Sequence, residues 1–136
     1  NSYPTFKDTN NLSLVAFVHY DGMGIIFPGD LEVSGWRSLL QDQVFLSHLS
    51  RVNIFVTSHH GREGGYCPEV FNYCTPDIFI ISDKEIVHET QKQRYGQHAS
   101  GVLWNGGPER RYVLTTRSDG MIRITKTVGS GYHISI

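Results

Sequence analysis

Four segments of nearly unbroken apolar, β-branched and aromatic residues constrain this chain more than any other feature: 12–20 (LSLVAFVHY), 23–27 (MGIIF), 52–57 (VNIFVT) and 77–82 (DIFIIS). Such runs are buried strands of central-sheet character, and a sheet made of them needs other elements to cover it. Tyr20-Asp21-Gly22 is a turn signal that makes the first two a hairpin. Pro28-Gly29-Asp30 stops the second. Apolar residues at Trp36, Leu39, Leu40, Phe45, Leu46 and Leu49 have helical spacing over 34–40 and 44–49, with Ser34 as the N-cap. Pro68 suits the first turn of a short helix over 68–74. Residues 84–107 form a polar stretch that is either a functional loop or a helix the pattern does not place. Short strands over 112–116, 121–125 and 132–136 close the chain, the first two joined through Ser118-Asp119-Gly120. The order specifies an α/β domain with one mixed β-sheet and its helices on one face.

With 136 residues there is room for one domain. An apolar fraction of 39%, including seven Phe, seven Tyr and two Trp, supplies a core and excludes a disordered segment. The net charge of -1 argues against non-specific binding to a nucleic-acid backbone, though it leaves a local basic site open. Cys67 and Cys74, the only cysteines, would lie roughly 10 Å apart along a helix, too far for a disulfide, so they are expected as buried free thiols. No stretch approaches the ~20 apolar residues of a membrane span, and no secretory h-region is visible. The expectation is a cytoplasmic protein. The chain opens at Asn1 rather than Met, which raises the expectation of an upstream portion.

Two places carry residues of metal-ligand type just beyond buried strands, where α/β folds put function. One is Asp30, after Pro28-Gly29. The other is His59-His60, in Ser58-His59-His60-Gly61. Adjacent imidazoles offer neutral nitrogen ligands or, protonated, a phosphate-binding cation. In extended backbone they point opposite ways, so one would bind a metal and the other would face substrate or core.

Taken in order, Asn10-Asn11-Leu12-Ser13-Leu14-Val15, the hairpin into Phe27-Pro28-Gly29-Asp30-Leu31-Glu32, and the strand into His59-His60-Gly61 resemble the metallo-β-lactamase superfamily. The likeness is to the metallo-hydrolase domains of ComEC-type DNA-uptake competence proteins and to related phosphodiesterases such as the phosphorylcholine esterase type. It spans roughly residues 9 to 125. Arg94-Tyr95-Gly96-Gln97-His98 looks like the family's Asn-x-Tyr-Gly-His-Pro segment. Residues 115–122 look like its closing Thr-x-x-x-Gly strand pair.

The resemblance implies the C-terminal half of the αββα metallo-β-lactamase sandwich. It makes Asp30 the carboxylate that bridges two divalent metal ions, zinc or alternatively manganese. His60 or His59 would be the last ligand of the second metal; His60 is taken as the ligand and His59 as a substrate contact. His98 would approach the substrate's phosphoryl group. Asn10 or Asn11 falls where many members have a His ligand.

The departures matter as much. The opening His-x-His-x-Asp-His motif has no counterpart. His19, His48, His88 and His133 lie in no such pattern and read as structural or solvated. Trp36 stands where relatives show Glu, and Gln97-His98-Ala99 replaces Gly-His-Pro. Glu63 and Glu69 are surface charges, while Arg62 could contact an anion.

The expected function is therefore part of a metal-dependent hydrolase of phosphodiester bonds, inactive and binding metal weakly or not at all as this segment alone. A competence nuclease, a phospholipid-type phosphodiesterase and a defence nuclease all fit. The alternative is a degenerate, non-catalytic module used for binding or assembly. Half a sandwich should leave Leu14, Ala16, Val18, Ile26, Ile54, Val56 and Ile80 needing cover. The expected cover is the upstream half of the same fold or a homodimer partner.

Overall fold

A computed structural model describes residues 9–83 and 89–136; His88 and the start of the polar stretch, 84–88, lie outside the described residues. The chain is α/β. Five strands form a mixed sheet in the order β1 (Ala16–Tyr20), β2 (Met23–Phe27), β3 (Ile54–Val56), β4 (Ile78–Ile81) and β7 (Val113–Thr115). β1 is antiparallel to β2, and the other three neighbouring pairs are parallel. Two small antiparallel sheets stand apart: β5 (Val102–Leu103) with β6 (Arg110–Arg111), and β8 (Arg123–Lys126) with β9 (Tyr132–Ser135).

Strand alternation sorts the apolar runs onto two faces. Ile26, Phe55, Phe79, Ile81 and Val113 face the helical side. There they meet Trp36 of α1 (Val33–Leu39), Phe45 and Leu49 of α2 (Gln43–Leu49), Val70 of a 3-10 turn (Pro68–Asn72) and Tyr95 of α3 (Lys92–Gly96). Met23, Ile25, Ile54, Ile78, Ile80 and Leu114 point the other way and pack with Ile134 of β9, joined by Trp104 and Ile124.

That second cluster corrects part of the expected bare face. Ile54 and Ile80 are 0% and 7% exposed because the C-terminal hairpin folds back over them, and Ile26 is buried on the helical side. Val56 is partly buried in the same second cluster. Leu14, Ala16 and Val18 remain exposed.

Several boundaries also differ, each for a local reason. The first run is not all strand. Thr9–Leu12 winds into a 3-10 turn, closed by Ser13 donating to the Asn10 carbonyl. Ser34 is not the cap of α1; Glu32 occupies that position. The waiting amides of Glu32 and Gly35 donate to Asn11 Oδ1, reaching across from the N-terminal turn. Asp42 caps α2 by accepting from Val44 N and Phe45 N.

Ser118-Asp119-Gly120 does not join a hairpin. Thr115 Oγ1 accepts from Ser118 N, and Asp119 accepts from Thr115 N while gripping Arg111. Those bonds wind a helical turn, α4 (Thr116–Asp119), which sends β8 into a different sheet from β7. Cys67 and Cys74 are buried free thiols, as expected. At Gly24 the chain passes so close to the turn after α2 that any Cβ would fall 2.1 Å from the Arg51 carbonyl oxygen.

Candidate functional site

Because β2, β3, β4 and β7 run parallel, their carboxyl ends share one rim. Asp30 follows β2, His59 and His60 follow β3, Ser82 and Asp83 follow β4, and Thr116 and Arg117 follow β7. The polar residues of the rim are gathered by topology, far apart though they are in sequence.

His59, His60 and Gly61 turn the chain through three successive left-handed residues, with φ of 51°, 53° and 75°. Two of these have side chains, for which that region costs roughly 1–2 kcal/mol each. The turn is held by His59 N donating to Gly29 O at 2.9 Å and by Gln91 N donating to Gly61 O at 2.8 Å.

The turn also separates the two imidazoles. His60 Nε2 stands 3.7 Å from Asp30 Oδ1, with both side chains half exposed. Its Nδ1 lies 2.8 Å from the Ser82 carbonyl oxygen. A carbonyl can only accept, so Nδ1 carries a proton, and in the neutral ring Nε2 presents its lone pair on the Asp30 side. A cavity of about 310 Å³ opens here, walled by Phe27, Pro28 and Val56 beside the two polar groups.

His59 instead turns inward. Its Nδ1 is 3.5 Å from Glu32 Oε1 and is buried without a hydrogen bond. Glu32 in turn accepts from Asn10 Nδ2 at 3.1 Å. Asn10 and Asn11 thus secure the N-terminal turn to the segment that carries Asp30.

His98 is placed elsewhere, on the helical face. Its Nε2 is 2.7 Å from Tyr66 Oη, and its ring stacks on Phe71 at 4.3 Å. Burial lowers its pKa from the ordinary histidine value, which favours the neutral ring as acceptor of the Tyr66 hydroxyl. Arg94 lies over the Tyr66 ring at 4.1 Å. The structure therefore brings Asp30 to His60 and leaves His59 and His98 with other partners.

Glu69 is more than a surface charge. It grips Arg37 through two bonds of 3.0 and 3.1 Å and accepts from Cys67 Sγ. The Arg37 bonds hold its carboxyl down at about 2, while burial pushes the Cys67 thiol up to about 12. Burial does the same to Cys74. Burial and a raised pKa both disfavour the thiolate of either cysteine at neutral pH.

Sequence reasoning missed Glu32 and the ion pair of Arg117 Nη1 with Asp83 Oδ2 at 3.2 Å. Asp83 and Arg117 follow buried strands, the signal that singled out Asp30. Among the described residues no three His, Cys, Asp or Glu side chains converge to hold a metal ion. No helix among them is long and apolar enough to cross a membrane. No family model, curated protein or solved structure matches the chain.

Proposed function

We propose that this chain contributes half of a metal-dependent hydrolase centre of metallo-β-lactamase type, acting on phosphodiester bonds. The observation that carries the reading is the Asp30–His60 pair at the carboxyl rim, where the Ser82 carbonyl orients the imidazole. A backbone carbonyl accepting from the free ring nitrogen is a usual way a metal-binding histidine is held. A carboxylate oxygen and an imidazole nitrogen are donors suited to zinc and acceptable to manganese. A pair of such ions lowers the pKa of bound water and clamps a phosphoryl oxygen.

This chain's own residues orient and screen. Asp30 and His60 hold one side of the site, and Phe27, Pro28 and Val56 line it with apolar surface. Further ligands would come from an upstream half of the same fold or from a second copy. A second reading, a non-catalytic binding module of the same fold, draws on the lack of a third ligand among the described residues.

Titration calorimetry with Zn²⁺ or Mn²⁺ tests the pair directly. The expected result is weak binding by the chain, reduced about tenfold or more by Asp30→Asn or His60→Ala, with no hydrolysis of bis(p-nitrophenyl) phosphate by the chain alone. Binding that ignores both substitutions would overturn the assignment. Turnover regained when the upstream segment is supplied would decide for the hydrolase over the binding module.

A further inference from the structure

At the opposite end of the sheet, His19 of β1 and His48 of α2 face each other. His19 Nε2 and His48 Nδ1 are 3.3 Å apart. The ring centres are 5.4 Å apart and the planes differ by 19°. The centre-to-centre distance exceeds the nitrogen gap by about two ring radii. The rings therefore lie end to end and nearly coplanar, the geometry of an N–H···N hydrogen bond and not of face-to-face stacking. Phe17 lies against both rings, at 5.9 and 5.4 Å. β1 is an edge strand of the sheet, hydrogen-bonded among the described residues to β2 alone.

We propose that this histidine pair is an acid-labile clasp that holds the edge strand β1 on α2 and lets it go when both imidazoles are protonated. Two neutral rings share one N–H···N bond, and a ring pair with one extra proton keeps it. A second extra proton puts hydrogen on both facing nitrogens. The bond is then replaced by a contact between like charges.

Among the described residues the surroundings offer such a pair no relief. Arg51, in the turn after α2, adds a third positive charge. Asp21 shares a cavity of about 430 Å³ with His19, Tyr20 and Arg51, but its carboxylate is engaged by Lys126 Nζ and Gly129 N, both at 2.7 Å. Asp42 is occupied as the cap at the far end of α2. Among the described residues the histidines within ion-pair distance of a carboxylate are His59 and His60, not these two. Burial, Arg51 and His48 all hold His19 below its ordinary pKa, the direction a clasp requires. On release, Phe17 would lose its cover on the helical face of β1, the face opposite the already exposed Val18 and Tyr20.

Amide hydrogen exchange from pH 7.5 to 4.5, corrected for intrinsic rate and referenced to β4 amides, tests the clasp. The expected result is a loss of β1–β2 protection by about 2- to 13-fold relative to β4, the worth of one net hydrogen bond. His48→Phe, which keeps an aromatic ring against Phe17, should abolish that pH dependence. Imidazole ¹⁵N spectra of the unmodified protein give an independent reading, with coupling expected across the shared bond at pH 7.5 and lost in acid. β1 tracking β4 at every pH, unchanged pH dependence in His48→Phe, or two imidazoles titrating independently without coupling would each overturn the proposal.

Discussion

At residue scale the most informative feature is the conformation of His59 and His60. Both occupy the left-handed region, which the structure tolerates because His59 N is bonded to Gly29 O and the segment leads into Gly61. Strain of this kind persists where surrounding structure overrides it, and it concentrates at functional sites. His60→Gly removes a side chain from that region, worth roughly 1–2 kcal/mol, against the ~0.5–1 kcal/mol glycine costs through chain entropy. The substitution also gives up the bond to the Ser82 carbonyl, about 0.5–1.5 kcal/mol, so stability in urea denaturation is expected to stay within about 1.5 kcal/mol while the metal binding proposed above is removed. A loss of more than about 2 kcal/mol would mean that His60 is there for packing.

The meeting of Asp30 and His60 at one rim was legible because each follows a buried strand. The division of labour between the two histidines was not. Alternation along an extended strand had them opposed, but it is a left-handed turn that swings His60 to Asp30 and His59 to Glu32. Glu32 gave no signal, since its partners come from 22 and 27 residues away in sequence.

At element scale, the four apolar runs became four strands of one sheet because continuous hydrophobicity demands cover on both faces. What covers the second face was hidden. β8 and β9 are short, alternately exposed strands whose individual patterns carry little weight, yet Ile134 on β9 is 3% exposed over the second cluster. Ile134→Ala should cost about 2–5 kcal/mol, read from the urea midpoint, as for a fully buried branched side chain. A change under 1 kcal/mol would show that the hairpin merely lies on the sheet. The polar stretch failed differently: α3 spans only five residues, Lys92–Gly96, too few for a periodicity to emerge, and it is placed by Tyr95 filling the core.

Over the whole molecule the resolved titrations of histidines and carboxylates act in one direction. His19 and His98 are both lowered by burial, so the unfolded chain binds more protons than the fold as pH drops. Their stabilising contribution is complete above the unfolded value of about 6.5 and is lost as pH falls through the depressed folded values. Asp119 is also lowered, held by Thr115 N and Arg111 against the opposing effect of burial, and Glu69 is lowered by Arg37. Their contributions are present above the unfolded carboxylate range near 4 and are lost below it. Thermal midpoints should therefore decline in two stages on acidification, first below about pH 6.5 and then below about pH 4. A midpoint that holds or rises from pH 7 to 5 would contradict this.

The clasp of Asp21 on Lys126 and Gly129 joins positions 105 and 108 residues apart. Such a contact is expected to form late, because it closes a loop spanning most of the chain. During synthesis the sheet's second face is made long before β9, which completes its lid, leaves the ribosome. The nascent chain must therefore emerge with Ile25, Ile54, Ile78 and Ile80 uncovered, a window in which a holding chaperone, or a stalled ribosome's truncated product, would find its sticking point.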